Sequence, residues 1–201
     1  MTLFTEEQIE AYRRLAEEKE NEKRYRHSLG VADAAVKLAG IYGEDPVKAY
    51  VCGLLHDIEK NAPIEEQRKY MLLLGDPLPR EVLENRKLWH APAGAAFVRE
   101  ELGIVDEGMI NAIKYHTTGR EGMTMMEKII YTADFISVER HFDGVEEIRE
   151  KAFRNIDEAI YSSAVFTLRK IIDLGQRINY DTMAMYNEMI DRLNADKEER
   201  S

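Results

Sequence analysis

The spacing of apolar residues constrains the fold of this chain more than any other feature of its sequence. Apolar residues recur every three or four positions, as Ile9, Tyr12 and Leu15 do near the start and Val47, Val51 and Leu54 do later. This is the period of one face of an α-helix, whereas strands show alternation with a period of two and runs of β-branched residues. Such alternation is missing from the sequence. The pattern therefore predicts an all-α protein.

Capping residues and helix breakers divide the pattern into roughly eight to ten helices. Thr5 with Gln8 and Thr124 with Glu127 form capping-box patterns, and Asp45 with Pro46 places a cap before a proline at the first helical position. Gly75, Pro77, Pro79 and Pro92 indicate turns rather than domain linkers. The predicted helices cover approximately 5–20, 22–41, 45–61, 65–74, 80–88, 93–102, 106–115, 125–139, 144–175 and 181–194.

The length of 201 residues matches one compact domain. We expect a single helical bundle over residues 1–195 and a frayed tail over 196–201. The 28 basic and 38 acidic residues give a net charge of −10, which repels nucleic acid. Cys52 is the single cysteine, so no disulfide framework or thiolate cluster is expected. With neither a secretory signal pattern nor a membrane span, the sequence predicts a cytoplasmic protein with no membrane partner.

Four histidines lie at or beside apolar segments, namely His27, His56, His90 and His116. Taken alone, an inward histidine is more often a hydrogen-bonded core residue than a metal ligand. Two aspartates change this interpretation. Asp57 follows His56 in an apolar segment, and Asp134 lies in another without a lysine or arginine three or four positions away. Burying an ionised carboxylate is costly unless it is paired or bound to a metal.

Several inward imidazoles with two inward carboxylates therefore predict a cation site. This donor set without cysteine suits iron, manganese, zinc or cobalt. Neighbouring positions on a continuous helix are about 100° apart, so His56 and Asp57 can face different ions. A shared carboxylate holds two cations roughly 3.5 to 4 Å apart, and incomplete coordination indicates catalysis rather than a structural role. The six candidate ligands are His27, His56, Asp57, His90, His116 and Asp134.

The sequence segments around these residues are specific enough to support a resemblance. Over roughly residues 5–175 the chain resembles the YqeK-like branch of the HD-domain superfamily of metal-dependent phosphohydrolases. The matching segments are KRYRHSLGV at 23–31, GLLHDIEK at 53–60, LWHAPAGA at 88–95, YHTTGR at 115–120 and EKIIYTAD at 127–134.

The resemblance implies the HD-domain helical fold and a bacterial enzyme. Members of this branch are symmetrical bis(5'-nucleosyl)-tetraphosphatases, acid anhydride hydrolases that split diadenosine tetraphosphate into two ADP by attack of a metal-bridging hydroxide. It also implies a binuclear centre of two divalent or mixed-valent transition metal ions. Iron is the first expectation, and manganese, cobalt and zinc are alternatives.

Further residues are candidates for catalysis and substrate binding. Asp57 is the expected bridging ligand, and Lys60 is expected to bind a phosphate oxygen or to offset charge on the leaving group. Arg24 and Arg140 are the other cations that we place on the polyphosphate, although surface positions compete with this interpretation. Thr117 and Gly119 follow His116, where a hydroxyl and a flexible backbone can approach a ligand. A plain helix cap is the competing interpretation for that pair.

Two departures from the family pattern occur. Ala91 stands where the family usually has glycine, and Ser137 with Val138 replace an acidic residue and a proline before Arg140. We expect neither departure to touch a metal ligand, so both bear on nucleotide contacts.

Several alternatives stay open. The same site in an HD phosphohydrolase could act on a nucleoside monophosphate, a dNTP or an alarmone, and a mixed-valent di-iron pair could activate oxygen. A non-catalytic nucleotide-binding module is a third alternative. The apolar face with Val165, Leu168 and Ile171 could pack internally or form a homodimer.

Overall fold

The computed structural model describes residues 4–75 and 77–199. Within these ranges the chain forms eleven α-helices and no strand, which confirms the all-α prediction. A short 3-10 turn, Arg86–Leu88, lies between the fifth and sixth helices. The helices are α1 Glu6–Lys19, α2 Glu22–Tyr42, α3 Pro46–Leu55, α4 Ile64–Leu74, α5 Arg80–Glu84, α6 His90–Glu100, α7 Glu107–Tyr115, α8 Met125–Ile136, α9 Val145–Arg154, α10 Ile156–Asp173 and α11 Tyr180–Glu199.

Asparagine caps account for two helix breaks that the apolar pattern alone did not reveal. The Asn155 side chain accepts hydrogen bonds from the backbone N–H groups of Asp157 and Glu158, and this cap starts α10. The segment predicted as one helix over 144–175 is therefore two helices. Asn85 likewise accepts from the N–H of Lys87, so the predicted helix over 80–88 divides at that residue. Side-chain oxygens that satisfy backbone donors favour helix starts over helix interiors.

The third helix ends earlier than predicted. We expected it to continue to residue 61, but α3 stops at Leu55 and the chain continues through a series of turns. The N–H of Ile58 bonds to the carbonyl of Leu55 at 3.1 Å, and the N–H of Lys60 bonds to that of Asp57 at 2.7 Å. These i to i+3 bonds tighten the chain beyond α-helical geometry. His56 and Asp57 consequently lie on a turn.

Two more boundaries differ from the prediction. Helix α6 begins at His90, three residues early, and Pro92 lies inside its first turn. Proline is tolerated there because the first N–H groups of a helix have no acceptor within it. At the other end, α11 continues to Glu199. The expected frayed tail thus overlaps this helix over 196–199, and residues 200–201 lie outside the described part.

Close helix packing brings the histidine-bearing segments together. Helix α2 packs against α3 and α8, and α6 packs against α4 and α7. The core between them contains fully buried Leu38, Leu54, Met109 and Ile130. None of the helices in the described ranges combines the length and apolar character that a membrane crossing needs.

Packing within the chain buries the apolar face of α10 only in part. Val165, Leu168 and Ile171 are half-buried, while Ile172 and Leu174 remain 63% and 58% exposed. Pairing of two chains through this face stays a prediction.

Candidate metal centre

The structure brings all six predicted ligands into one cluster, although they come from five separate segments. His27 lies in α2 and Asp134 in α8. The others lie at helix ends, where the chain changes direction. His56 and Asp57 follow α3, His90 begins α6 and His116 follows α7.

Two overlapping groups within the cluster have the spacing of metal ligands, since their donor atoms all lie within 4.8 Å of one another. In the first group, Asp134 Oδ1 lies 2.8 Å from His27 Nε2 and 3.9 Å from His56 Nε2. In the second, His56 Nε2 is 3.5 Å from Asp57 Oδ2, and His116 Nε2 is 3.5 Å from Asp57 Oδ1. The two groups share His56.

His90 adjoins the second group. Its Nε2 atom lies 3.1 Å from Asp57 Oδ1 and 3.2 Å from His116 Nε2. The Asp57 carboxylate therefore has one oxygen beside His90 and His116 and the other beside His56.

Backbone carbonyls select the tautomer of two of the histidines. His56 Nδ1 donates to the carbonyl of Gly53 at 2.7 Å, and His116 Nδ1 donates to that of Ile113 at 2.8 Å. A carbonyl only accepts, so each Nδ1 carries the proton. The Nε2 lone pair of the neutral ring then points into the cluster, as metal ligation requires.

His27 has a different orienting partner, and it corrects one expectation. The Ser137 hydroxyl lies 3.2 Å from His27 Nδ1. We expected Ser137 to touch no ligand, yet it lies beside His27, which is 110 positions away in the sequence. The end of α8 brings it back to this ring, so the departure at Ser137 bears on the metal centre.

The burial of the ligand atoms shows whether these residues suit a metal ion. His56 Nε2 and Asp57 Oδ1 are both buried and form no hydrogen bond of normal geometry within the described chain, although His90 Nε2 lies 3.1 Å from Asp57 Oδ1. Leaving such atoms unsatisfied in a protein interior is costly. A cation would use both lone pairs, and imidazole with carboxylate suits first-row divalent metals. The residues present therefore fit the predicted metal ions.

The candidate residues also have the protonation states that metal ligands need. Burial lowers the pKa of His56 to about 3 and that of His90 to about 4, so both rings are neutral near pH 7. Burial alone would raise the pKa of Asp57, but the neighbouring His56 and His116 hold it well below its ordinary value. Neutral imidazole and ionised carboxylate are the forms that bind metal.

All three predicted cations surround the cluster. Arg24 pairs with Asp57 Oδ2 at 2.6 Å, and Arg140 pairs with the Asp134 carboxylate and donates from Nε to the Asp134 carbonyl at 2.8 Å. Lys60 Nζ lies 3.0 Å from His90 Nε2, and its burial lowers its pKa. The side chains of Arg24, Arg140 and Lys60 are 29%, 40% and 32% exposed, so all three lie beside the cluster and also reach solvent. Their binding to a polyphosphate stays a prediction.

The residues after His116 divide between the site and the scaffold. The Thr117 hydroxyl lies 3.0 Å from His116 Nε2 and 3.3 Å from His90 Nε2, at the cluster. Gly119 has a φ of +62°, and a Cβ there would lie 2.1 Å from the Met185 sulfur. Gly119 thus packs against α11, which leaves its proposed role in substrate binding without a contact that supports it.

Two residues make contacts that the sequence did not predict. One is Ser137, which contacts His27, and the other is Glu127. Glu127 is 1% exposed and forms a double ion pair with Arg120, with N–O distances of 2.6 and 2.8 Å. Only half of the predicted Thr124 capping box is therefore formed: the Thr124 hydroxyl accepts from the Glu127 N–H, while the carboxylate binds Arg120. An acidic residue within an apolar helix was the available signal.

The fold and the cluster define a class of protein. The model of the HD domain matches residues 24–191, so the chain belongs to the HD-domain family. Members of this family are metal-dependent hydrolases.

Relatives narrow the similarity further. The chain is 40% identical to the symmetrical bis(5'-nucleosyl)-tetraphosphatase of Staphylococcus aureus, over 92% of this chain and 93% of the relative. It is 39% identical to the protein of the same name from Bacillus subtilis, over 84% and 90%. A solved structure from Clostridium acetobutylicum, described as a predicted HD superfamily hydrolase involved in NAD metabolism, superposes with a TM-score of 0.88 at 39% identity. The match covers 95% of this chain and 100% of that one.

Proposed function

We propose that this chain is a symmetrical bis(5'-nucleosyl)-tetraphosphatase that hydrolyses diadenosine tetraphosphate to two molecules of ADP. The observation that supports the proposal is the buried pair of candidate ligand atoms, His56 Nε2 and Asp57 Oδ1, which form no hydrogen bond of normal geometry and lie inside a cluster of six candidate metal ligands. The relatives that bear this name match nearly the whole chain.

We propose that the cluster holds two metal ions. His27, His56 and Asp134 would hold one, and His90 and His116 the other. Asp57 is the group we propose to be shared, because its two oxygens face different histidines. Iron is the proposed metal, with manganese, cobalt or zinc as alternatives. When bound, such ions lower the pKa of water and neutralise phosphate charge.

The protein's own cations prepare the cluster for a polyanion. Arg24 and Arg140 neutralise the two carboxylates and present their remaining N–H groups to phosphate oxygens. The Lys60 ammonium, beside His90, is placed to stabilise negative charge as the leaving group departs. The Thr117 hydroxyl can donate to the same phosphoryl group. Together these groups offset the repulsion that the net charge of −10 exerts on the substrate.

Product analysis tests the proposal. Protein loaded with iron under reducing conditions, or with manganese or cobalt, is incubated with diadenosine tetraphosphate, and the products are separated by ion-exchange chromatography. ADP as the single product is expected. AMP with ATP would contradict symmetrical cleavage, and the absence of turnover with every metal would contradict the activity.

A matched pair of variants tests the site. Asp57→Asn removes the charge of the shared carboxylate and should lower both metal content and turnover. Asp33→Asn changes an exposed aspartate of α2 by the same atoms and should change neither. Equal turnover of the two variants would contradict the role of Asp57.

Two further proposals concern the setting of the enzyme. We place it in the bacterial cytoplasm, since its lone Cys52 is buried as a free thiol. We also propose a homodimer through the exposed apolar face of α10, to be tested by light scattering: a monomer at micromolar concentration would contradict it.

A further inference from the structure

A groove of about 560 Å³ opens directly beside the candidate metal centre. It shares two residues with that centre, His90 and Lys60, so a molecule bound at the metals would extend into it. The lining residues are Lys60, Ala62, Ile64, Gln67, Arg86, Lys87 and His90.

The charge of this groove is opposite to that of the whole chain. Lys60, Arg86 and Lys87 line it, and no carboxylate does so within the described residues. A smaller cavity of about 130 Å³ on the Thr117 side of the centre is lined by both Lys114 and Asp181. In a chain with a net charge of −10, the first groove is the one suited to an anion.

The two outer cations are held close to the centre by the local backbone. Arg86 and Lys87 lie on the 3-10 turn that leads through Trp89 into His90. The buried Trp89 anchors this turn, since its indole N–H donates to the carbonyl of Val82 at 2.9 Å. Both cations are exposed in the groove, and no carboxylate within the described residues is paired with either.

We propose that Arg86 and Lys87 bind the diphosphate of one nucleotide half of the substrate and so determine specificity for dinucleoside polyphosphates. This inference rests on the proposed function. Symmetrical cleavage requires the bond to break in the middle of four phosphates, which leaves two phosphates on each side of the metals. The half that passes Lys60 and His90 enters the basic groove.

Charge reversal tests the inference. In metal-loaded Arg86→Glu/Lys87→Glu, KM for diadenosine tetraphosphate should rise tenfold or more while kcat stays within about twofold, because phosphate binding falls and the ligands stay in place. Added salt should raise KM of the natural protein and have much less effect on the variant, since screening weakens attraction to an anion.

Two controls separate this effect from others. Arg14→Glu/Lys37→Glu makes the same change in net charge at two exposed cations outside the groove and should keep the natural KM. Arg86→Lys/Lys87→Arg keeps both charges and should also keep it. A charge-reversed variant that melts more than a few degrees early is replaced by Arg86→Gln/Lys87→Gln, for which a smaller rise in KM is expected.

The outcomes distinguish this inference from the proposed function. Turnover of diadenosine tetraphosphate with the same KM in the groove variant and the Arg14/Lys37 control would overturn the inference and leave the function standing. ADP binding to the metal-loaded protein is measured by calorimetry in parallel. A natural protein without turnover, whose ADP affinity falls tenfold on charge reversal, would overturn the function alone. Equal ADP affinity in the natural protein and the charge-reversed variant would overturn the inference.

Discussion

Gly53 controls how closely the two central helices approach, and replacing it tests the construction of the metal centre. A Cβ at Gly53 would lie 2.7 Å from Ala32 Cα and 2.9 Å from Ala32 N, in the backbone of α2. Ordinary carbon contacts are about 3.5 to 4.0 Å. The contact partners are backbone atoms that cannot turn away, so α2 and α3 would have to separate by about 1 Å.

The expected cost of Gly53→Ala follows from two opposing effects. Overpacking in a close-packed interior costs about 1 to 3 kcal/mol. The better helix propensity of alanine returns about 0.5 to 1 kcal/mol. We therefore expect a net loss between about 0 and 2.5 kcal/mol, with a central value of about 1 kcal/mol. In a chain of this length that central loss lowers the melting temperature by about 2 to 4 °C.

The same separation acts on the metal site. His27 belongs to α2, while His56 follows α3 and is held by the carbonyl of Gly53 itself. A displacement of about 1 Å at a catalytic centre can cost about 100-fold in rate, so kcat/KM should fall by that order.

Gly40 of α2 provides the matched control, because a Cβ there meets nothing within 4 Å. Gly40→Ala should raise stability by about 0.5 to 1 kcal/mol and leave turnover unchanged. Thermal melts and steady-state kinetics of the metal-loaded variants decide the matter. A melting temperature for Gly53→Ala equal to that of Gly40→Ala would refute the reasoning.

Three other predictions concern residues around the centre. Burial raises the pKa of Glu20 from 4.5 to about 8, so the folded chain keeps a proton that the unfolded chain loses, and stability should fall as pH rises between those values. The slope is at most about 1.4 kcal/mol per pH unit; Glu20→Gln should abolish it in urea unfolding, and an unchanged slope would assign it elsewhere. Ser137→Ala should weaken metal binding about 10- to 100-fold in a metal titration, and undiminished affinity would remove Ser137 as an orienting residue. Arg120→Ala strands the buried Glu127 and should cost about 3 to 5 kcal/mol, most of it restored in Arg120→Ala/Glu127→Gln; no restoration would contradict the stranded charge as the cause.

The sequence was sufficient to predict the all-helical fold and the set of candidate ligands, but not every helix boundary. Apolar periodicity predicted the helical fold. Asp57 and Asp134 were recognised as candidate ligands because they lie within apolar segments. The contacts between the ligands depend on packing over long separations, such as the 107 residues between His27 and Asp134. Periodicity carries no information about such pairs. The donor types predicted one cation site without showing which ligands touch each other, and the resemblance to a family implied what that site does.

Ser137 and the end of α3 show where local reasoning fails. A serine after an apolar helix has no local feature that indicates a histidine partner, because the ring that it contacts belongs to α2. The continued apolar pattern up to Ile58 predicted more helix, and Ile58 is indeed fully buried. Burial of a residue in a turn satisfies the same apolar pattern as burial in a helix, so the pattern could not separate them.

The ends of α3 and α7 also orient two of the candidate ligands. His56 and His116 each stand immediately after a helix, and each ring bonds back to the carbonyl three residues earlier. The last carbonyls of a helix lack partners within it. One bond therefore helps to satisfy a helix end and fixes the tautomer that directs Nε2 into the cluster. His56 itself keeps helical φ and ψ values of −58° and −34°. Its side chain and that of Asp57 therefore leave the chain in different directions, as adjacent helical residues do. They still meet in the cluster, where His56 Nε2 lies 3.5 Å from Asp57 Oδ2.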